Sequence, residues 1–484
     1  MCSKENNSLR TQIQQAWMLI SLLFLLNSGA QGANLVRSLP GFPGELPFKL
    51  ETGYVEVGGE HGKVQLYYYF VESQKDPEKD PLFLWLTGGP GCSGLSSMLY
   101  EIGPFQFDYK AYNGSTLPPL KSNPYTFTQV GNMIFLDAPA GTGFSYSETD
   151  EAYNIKDDIA AADANHQFLK KVNSNHPKFL NNSLYIGGDS YSGKIVPILV
   201  HAMHAGQKAG QVPKMNLQGY VLGNPLTDKV IDESAVVPFA HRLGFISDEL
   251  YESAKVNCGG EYLYPDINSA LCLKDQQAIK KCTELILPSH VLEPNCNFAP
   301  EVDALGRGGT LMDANVSINN VVEALQGKKP WCREFNYVLS YIWANDPGVQ
   351  EALHVREGTK DYWRRCYRTL YAAPRFEVVE SVVDYHRSFF NSNYRALIYS
   401  GDHDMLIPFL GTLKWISALN LTLTDPWRPW IVEGQAEGFT KTFKYEDAYE
   451  LTFTTVKGAG HTAPEYKPKP CLEMLDRWLA RYKL

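Results

Sequence analysis

Short runs of apolar residues, each closed by glycine, proline or small polar residues, recur along this chain of 484 residues. Pro81–Leu86 (PLFLWL), Asn132–Asp137 (NMIFLD) and the run leading to Ser190 (LYIGGD) are nearly apolar on both faces. Strands of this kind lie inside a sheet that is covered on both sides. Ile155–Val172, between two of these runs, has apolar positions three and four residues apart, as in a helix. The alternation predicts a mostly parallel central sheet flanked by helices.

Further strand patterns flank this region. Tyr54–Val57 and Val64–Val71 are rich in aromatic and β-branched residues and are separated by glycines, which predicts a hairpin. Three more patterns extend the sheet, at Leu217–Gly223, Arg395–Ser400 and Leu451–Val456. Cys471–Tyr482 is amphipathic and is predicted to close the chain as a helix.

Between about Thr227 and Trp343 the strand patterns give way to helical ones. A small helical insertion builds little core of its own and gains from cross-links. The stretch holds five cysteines, Cys258, Cys272, Cys282, Cys296 and Cys332. We therefore predict an inserted helical cap stapled by disulfides, with an exposed loop at Ala299–Lys329. The predicted division is a signal at 1–30, a core at 31–226 and 344–484, and a cap at 227–343.

The N-terminus is typical of a cleaved secretory signal. Lys4 and Arg10 precede an apolar run, Ala16–Leu26, which is followed by small and polar residues. The run is too short for a typical spanning helix, so we predict cleavage after Ala30 rather than an uncleaved anchor. No later run is long and apolar enough to span a bilayer, and the mature protein is expected to have no membrane segment.

Charge and cysteine usage narrow the function classes. The net charge of −9 and the lack of a Lys/Arg cluster argue against a nucleic-acid partner. Nine cysteines fit an oxidising compartment, and without C-x-x-C or H-E-x-x-H spacing they predict disulfides rather than a metal site. No cofactor is expected. N-glycosylation is predicted at four sequons, Asn113, Asn181, Asn315 and Asn420.

The candidate nucleophile is Ser190 in GDSYSG, between an apolar run and a helical pattern. This strand, turn and helix order is that of a nucleophile elbow, although Ser192 stands where the motif has its second glycine. His461, after the last strand pattern, is the candidate general base, and the acid follows the Arg395–Ser400 strand. Asp402 and Asp404 both qualify, and their spacing does not distinguish them. Serine, acid and histidine in this order are typical of the α/β-hydrolase fold.

Acyl transfer at a serine also needs donors for the oxyanion that forms on the carbonyl. The backbone N–H of Tyr191, directly after the nucleophile, is one candidate. The second would come from the glycine-rich loop after the PLFLWL strand, where Gly88 and Gly89 allow the backbone a close approach.

Seven motifs resemble those of the serine carboxypeptidase family, and the similarity covers nearly the whole mature chain. They are WLTGGPGCSG (Trp85–Gly94), GPF (Gly103–Phe105), NPYTF (Asn123–Phe127), FLDAPAGTGFSYS (Phe135–Ser147), GDSYSG (Gly188–Gly193), YSGDHDMLIP (Tyr399–Pro408) and GAGHTAPEYKP (Gly458–Pro468). The resemblance implies an α/β-hydrolase fold, a triad of Ser190, Asp404 and His461, and oxyanion donors at Gly89 and Tyr191. It also implies three disulfides, Cys92–Cys332, Cys258–Cys272 and Cys282–Cys296, with Cys366 and Cys471 unpaired.

Two positions depart from the pattern of the family's peptidases. Those enzymes bind the C-terminal carboxylate of a peptide with an asparagine in W-L-N-G-G and a glutamate before the nucleophile. This chain has Thr87, beside Gly88, and Asp189 at the corresponding substrate-binding positions. Shortening the acid and removing the amide donor weakens recognition of a carboxylate.

The same substitutions resemble the plant serine carboxypeptidase-like acyltransferases, which move an acyl group from a 1-O-β-glucose ester to an alcohol. We therefore expect a small-molecule acyl-glucose donor and an alcohol acceptor, in the vacuole or outside the cell. The alternative is a secreted or vacuolar serine carboxypeptidase that releases C-terminal residues. A catalytically inactive homologue is disfavoured because all three triad residues are present.

Overall fold

The computed structural model describes residues 34–58, 63–149, 153, 157–210, 212–302, 310–312, 315–367 and 378–484. The predicted signal at 1–30 and the first residue of the predicted helix, Ile155, lie outside the described residues. In the part of the chain that the structure describes, no helix has the length and apolar character needed to cross a membrane.

The described residues form a twelve-stranded sheet. Its strands are β1 (Asn34–Val36), β2 (Leu50–Val57), β3 (Val64–Val71), β4 (Leu82–Leu86), β7 (Asn132–Asp137), β8 (Tyr146–Ser147), β9 (Leu184–Asp189), β10 (Leu217–Gly223), β11 (Arg395–Gly401), β12 (Thr422–Val432), β13 (Gln435–Tyr445) and β14 (Tyr449–Val456). They lie in the order β1-β2-β3-β7-β4-β9-β10-β11-β14-β13-β12, with β8 beside β3. A separate pair is formed by β5 (Phe105–Phe107) and β6 (Leu120–Ser122).

The six central strands, from β7 to β14 across the sheet, pair in parallel. Their side chains are almost entirely buried, because helices cover both faces. The predicted mostly parallel sheet is confirmed, and so is the antiparallel hairpin of β2 and β3. Parallel strands end at the same edge of the sheet, so the loops after β4, β9, β11 and β14 meet there.

The β12–β13 hairpin was not predicted. β12 contains Pro426 and Pro429, which remove backbone donors and hide the strand pattern. It lies at the edge of the sheet, where a strand tolerates proline because one side of its backbone has no neighbour.

The helices of the first core segment are α1 (Gly94–Ser96), continued by a π-helical turn at Ser97–Glu101, then α2 (Asp158–Asn175) and α3 (Ser192–Lys208). The following stretch contains α4 (Lys229–Ser234), α5 (Val236–Arg242), α6 (Asp248–Asn257), α7 (Ala270–Thr283), α8 (Ile318–Leu325) and α9 (Glu334–Ala344). The last helices are α10 (Pro347–Ala352), α11 (Val383–Arg387), α12 (Phe409–Ala418), α13 (Ala463–Tyr466) and α14 (Pro468–Leu479). Short 3₁₀ turns lie at Phe127–Gln129 and Pro177–Phe179.

The described residues between β10 and β11 form helices and no named strand, in keeping with an inserted helical cap. The domain boundaries themselves stay predictions. The expectation of an exposed loop at Ala299–Lys329 is wrong where α8 falls inside that range, and residues 303–309 and 313–314 of the range lie outside the described residues. Val321 and Ala324 of α8 are buried against the core, so this amphipathic segment gains its stability from packing.

The described residues contain three disulfides, of which only Cys258–Cys272 was predicted correctly. The predicted Cys92–Cys332 bond is wrong: Cys92 pairs with Cys366, and their Cα atoms are 3.9 Å apart. The two residues lie opposite each other in a β-bridge between the loop after β4 and a segment far along the chain. A sequence motif does not reveal such an approach.

The predicted Cys282–Cys296 bond is also wrong, because Cys296 pairs with Cys332 in the cap, with 5.5 Å between the Cα atoms. Cys282 is left as an exposed thiol. Cys471 is a buried free thiol, as predicted, and burial raises its pKa.

The core between α11 and the sheet contains a buried polar cluster. The Tyr220 hydroxyl lies 2.6 Å from both His386 Nδ1 and the Tyr449 hydroxyl, and His386 Nε2 has no hydrogen-bond partner. Burial lowers the pKa of His386 from 6.5 to about 3. The unfolded chain therefore binds a proton here below about pH 6.5, whereas the folded protein does so only below about pH 3.

Acidification from about pH 7 to about pH 4.5 is expected to reduce the free energy of unfolding by about 3 kcal/mol through His386. His386→Phe should lose this part of the pH dependence. Urea unfolding at the two pH values measures it, with His201→Phe, a partly exposed histidine on α3, as the control. An equal pH dependence in wild type and His386→Phe would contradict the expectation.

Candidate active site

Ser190 lies in the turn between β9 and α3. Its φ of 56° is in the left-handed region, which a serine adopts only under local constraint. The constraint comes from both sides: the Ser190 N–H donates to Gly223 O, and the Ser190 carbonyl accepts from Leu226 N–H, each at 2.9 Å. The turn presents the hydroxyl at the carboxyl edge of the sheet, as a nucleophile elbow does.

The structure explains why Ser192 replaces the second glycine of the elbow motif. The Ser192 hydroxyl donates to Leu86 O at 2.8 Å. A Cβ on Gly188 would lie 2.7 Å from the Ser192 Cβ, so the first glycine makes the room that the serine occupies. Gly193 is required separately, because a Cβ there would lie 2.6 Å from Pro225.

The structure brings Ser190, His461 and Asp404 together from three separate loops. His461 Nε2 lies 2.7 Å from Ser190 Oγ, and His461 Nδ1 lies 2.8 Å from Asp404 Oδ2. Asp404 is fully buried and His461 is 8% exposed, so only the serine end of the array faces the cavity. The array has the geometry in which an imidazole accepts the serine proton while a carboxylate holds its tautomer.

The ambiguity between the two aspartates is resolved by their contacts. Asp404 Oδ2 faces His461, whereas Asp402 Oδ1 accepts the Gly458 N–H at 2.7 Å and contacts the His403 ring. The backbone N–H of Leu406 donates to Asp404 Oδ1 at 2.8 Å and keeps that carboxylate in place.

Asn224 is a further residue of this site that sequence reasoning passed over. Its Nδ2 donates to Asp404 Oδ2 at 2.8 Å, and its Oδ1 accepts the Gly401 N–H at 3.1 Å. It is buried with a positive φ of 42°, directly after β10. Its position at the end of a buried strand, on the same edge as the other loops, was the available signal.

Gly89 and Tyr191, the predicted oxyanion donors, line the same pocket as Ser190. The loop after β4 approaches the nucleophile closely, since a Cβ on Gly88 would lie 2.6 Å from the Ser190 Cβ and 2.9 Å from Tyr191 N. Tyr191 also donates its hydroxyl to Asp158 at 2.9 Å, which anchors the residue after the nucleophile to α2.

The predicted substrate-binding residues are engaged within the protein. The Thr87 and Ser97 hydroxyls lie 2.8 Å apart, and Asp189 Oδ1 accepts the Gly88 N–H at 3.3 Å. Burial raises the pKa of Asp189 to about 6, against the lowering effect of the His461 charge. Burial also raises the pKa of Glu101, and the nearby Asp189 charge adds to the shift.

Arg365 provides the positive charge near these two buried acids. Its charge lowers the pKa of both Glu101 and Asp189, in opposition to their burial. Its Nε donates to Ser96 Oγ at 2.9 Å, and its guanidinium lies 3.8 Å from the centre of the Tyr337 ring. Glu101 and Arg365 were not predicted, because only the fold brings them near Asp189.

A cavity of about 1020 Å³ separates the nucleophile from the cap. Its apolar wall includes Val237 and Ile279 of the cap and Met405 of the loop after β11, which pack together in one small hydrophobic cluster. Gln276 and Asn297 contribute polar groups to the lining. The cavity is large enough for two small-molecule substrates, or for a peptide end.

One group among the described residues has the spacing of metal ligands, Cys296, Cys332 and Glu334. Its two sulfurs are joined in a disulfide and do not offer thiolates. The four predicted glycosylation sites, Asn113, Asn181, Asn315 and Asn420, are all exposed.

Known proteins match this chain over nearly its whole length. A family model described as serine carboxypeptidase matches residues 40–481. Serine carboxypeptidase-like 2 of Arabidopsis thaliana is 43% identical over 474 residues, which cover 98% of each chain. Serine carboxypeptidase-like 19 of the same plant is 43% identical over 458 residues, 94% of this chain and 96% of its own. A solved prohormone-processing carboxypeptidase from Saccharomyces cerevisiae shares the fold, with a TM-score of 0.68 at 19% identity, and covers 92% of this chain and 94% of its own.

Proposed function

This chain belongs to the serine carboxypeptidase family of α/β-hydrolase enzymes, and on that premise we propose that it is an acyltransferase. The donor is a 1-O-β-glucose ester and the acceptor is the hydroxyl of a second small molecule. The reaction proceeds through an acyl-enzyme on Ser190. The proposal rests on the geometry of the triad for the covalent step, and on Thr87 and Asp189 for the choice of substrate.

In the first half-reaction Ser190 Oγ attacks the ester carbonyl and His461 Nε2 takes the serine proton. The N–H groups of Gly89 and Tyr191 stabilise the oxyanion. The C–O bond to glucose then breaks, His461 returns the proton to the leaving oxygen, and the acyl group remains on Ser190. In the second half-reaction the acceptor hydroxyl gives its proton to His461 and attacks the acyl-enzyme. Ser190 Oγ leaves as the product ester forms and regains the proton.

The observation that carries the proposal is the engagement of Thr87 and Asp189 with the protein itself. Thr87 has a hydroxyl in contact with Ser97, and the short Asp189 side chain is turned onto the Gly88 N–H. Neither offers the pair of free groups that would hold a peptide carboxylate. A neutral glucosyl ester does not need that recognition, because its reacting carbonyl carries no adjacent charge.

The cavity gives further support. Transfer competes with hydrolysis only when the acceptor, rather than water, occupies the position facing the acyl-enzyme. A volume of about 1020 Å³ between Ser190 and the cap allows donor and acceptor groups to be held together. The apolar wall formed by Val237, Ile279 and Met405 suits an acyl chain or ring and excludes water from it.

One observation favours the alternative function, a serine carboxypeptidase. Glu101 and Asp189 are both buried, the charge of Asp189 acts on Glu101, and the pKa of each is raised. A protonated carboxyl group donates a hydrogen bond to a carboxylate, so the pair could receive the C-terminus of a peptide at acidic pH. The two functions share the triad and differ only in what binds beside it.

We further propose that the protein acts in the secretory pathway, either in a vacuole or outside the cell. The three disulfides and the four exposed sequons support this location, since both features suit an oxidising compartment and its glycosylation machinery.

The proposal is tested by supplying the purified protein with a panel of acylglucoses and alcohols, and separately with a blocked dipeptide. We expect transferred esters and free glucose in the first assay and slow or no cleavage in the second. Efficient dipeptide cleavage without acyl transfer would establish the peptidase instead. Labelling by a fluorophosphonate, abolished in Ser190→Ala, separates an inactive protein from an active one with an untested substrate.

A further inference from the structure

A short segment of the cap, Pro288–Val291, is bound to both loops that carry the triad partners of Ser190. We call it the cap strap. The Ser289 carbonyl accepts the His461 N–H at 2.7 Å. On the other side, the Pro288 carbonyl accepts the Met405 N–H at 2.8 Å, and the Val291 N–H donates to His403 O at 3.1 Å. The strap thus fixes the loop after β14 and the loop after β11 relative to each other.

The strap has little freedom to shift on the His461 loop. A Cβ on Gly460 would lie 2.3 Å from the Ser289 carbonyl oxygen, so the two backbones are in direct contact. Pro288 also lines the cavity above Ser190. A change in the strap therefore reaches both the triad and the substrate cavity.

His290 is the buried side chain of the strap. It is 6% exposed, and its ring packs 4.6 Å from Tyr466 and 5.8 Å from His403, measured between ring centres. His290 Nδ1 accepts the Leu292 N–H at 3.3 Å, while Nε2 lies 3.4 Å from Gly458 O. These contacts require a neutral ring with its proton on Nε2, because Nδ1 must accept and Nε2 must donate.

We propose that His290 is a positioning residue, which in its neutral form locks the cap strap onto the His461 and Asp404 loops and so sets the orientation of the triad. The inference rests on the proposed function only in taking Ser190, Asp404 and His461 as the triad. It holds for acyl transfer and for peptide hydrolysis alike.

A proton on Nδ1 would end the hydrogen bond from Leu292 and place a positive charge inside this contact. The charged and titratable groups around the ring are Glu293 on the same segment, His403 and Asp402 after β11, Arg333 before α9, and Tyr466 on α13. Burial lowers the pKa of His290, the Glu293 charge opposes this, and the His403 and Arg333 charges add to it. Acidification therefore loosens the strap, in addition to protonating His461 directly.

The test measures the rate at which a fluorophosphonate labels Ser190, as a function of pH, in the full-length protein. His290→Phe keeps a ring between Tyr466 and His403 but neither donates nor accepts. His290→Gln keeps a donor for Gly458 O and does not titrate. His204→Phe is the matched control, since His204 also packs on a tyrosine, Tyr394, and contacts its hydroxyl at 2.9 Å, away from the cavity.

At neutral pH we expect His290→Phe to be labelled about 10- to 100-fold more slowly than wild type, because a displaced His461 ring accepts the Ser190 proton less efficiently. His290→Gln should label at nearly the wild-type rate. Below neutral pH the labelling rate of wild type should fall with a slope greater than the uptake of one proton produces. The labelling rate of His290→Gln should fall with the slope of a single proton. His204→Phe should follow wild type throughout.

Superimposable profiles for wild type and both His290 variants would overturn the inference. If His290→Phe does not fold, the acid limb of His290→Gln still decides it. An absence of labelling in wild type would instead contradict the triad and the proposed function. Failure of the His290 inference and failure of the proposed function are therefore distinguishable.

Discussion

Replacing Asp404 by asparagine is expected to lower the rate at which Ser190 is acylated about 10⁴-fold. Asp404 Oδ2 accepts from His461 Nδ1 and from Asn224 Nδ2, and Oδ1 accepts from Leu406 N–H. The asparagine amide N–H group would face groups that themselves donate hydrogen bonds. It would favour the His461 tautomer that carries its proton on Nε2, which cannot accept the serine proton. The charge that stabilises the imidazolium is lost as well. Single-turnover acylation of Ser190 measures the effect.

Asp402→Asn is the matched control, two residues away in the same loop. Asp402 Oδ1 accepts the Gly458 N–H at 2.7 Å, and an asparagine oxygen can still accept that bond. The control should stay within about threefold of wild type, in the range of a retained neutral hydrogen bond. Equal losses in the two variants would show that the loop, and not the Asp404 carboxylate, governs the rate.

The double substitution Thr87→Asn and Asp189→Glu is expected to shift the protein towards peptide hydrolysis. It supplies an amide donor and a longer acid at the two positions that bind the peptide carboxylate in peptidases of the family. The ratio of dipeptide hydrolysis to acyl transfer should rise at least about 100-fold, the scale on which a paired polar group discriminates between substrates. Both products are measured in one reaction that contains acylglucose, alcohol and blocked dipeptide.

Thr87→Val serves as the control, because it removes the hydroxyl in contact with Ser97 without adding a donor. It should leave the ratio unchanged. Fluorophosphonate labelling of each variant establishes that Ser190 is still active. A double variant that labels normally and retains the wild-type ratio would show that other residues of the cavity choose the substrate.

The two sets of buried acids have different consequences in these experiments. Asp404 lies on the far side of His461 from the nucleophile and acts on every substrate. Asp189 directly precedes Ser190, and burial raises its pKa to about 6, so its charge depends on pH below neutrality. Burial also raises the pKa of Glu101, which interacts with the Asp189 charge. Protonation of these two acids should therefore change the ratio of hydrolysis to transfer, whereas the labelling rate of Ser190 follows the protonation of His461 and His290.

Much of the fold followed from patterns that are local in the sequence. The apolar strands β4, β7 and β9 are recognisable because a strand buried on both faces has no polar positions. The elbow around Ser190 and the loop of His461 are recognisable because tight turns need small residues. These features depend on neighbouring residues alone, and for them the order of strand, serine, acid and histidine was sufficient.

The sequence by itself therefore determined the α/β-hydrolase architecture, the candidate nucleophile and the candidate base. Tertiary structure alone decided which segments meet. Cys92 joins Cys366 because two loops 274 residues apart form a bridge, and Asn224 supports Asp404 because parallel strands end at one edge. The cap strap reaches His461 for a similar reason. Such contacts form only when segments that are distant in the sequence approach each other. The residue types of those segments show no pattern from which the approach can be predicted.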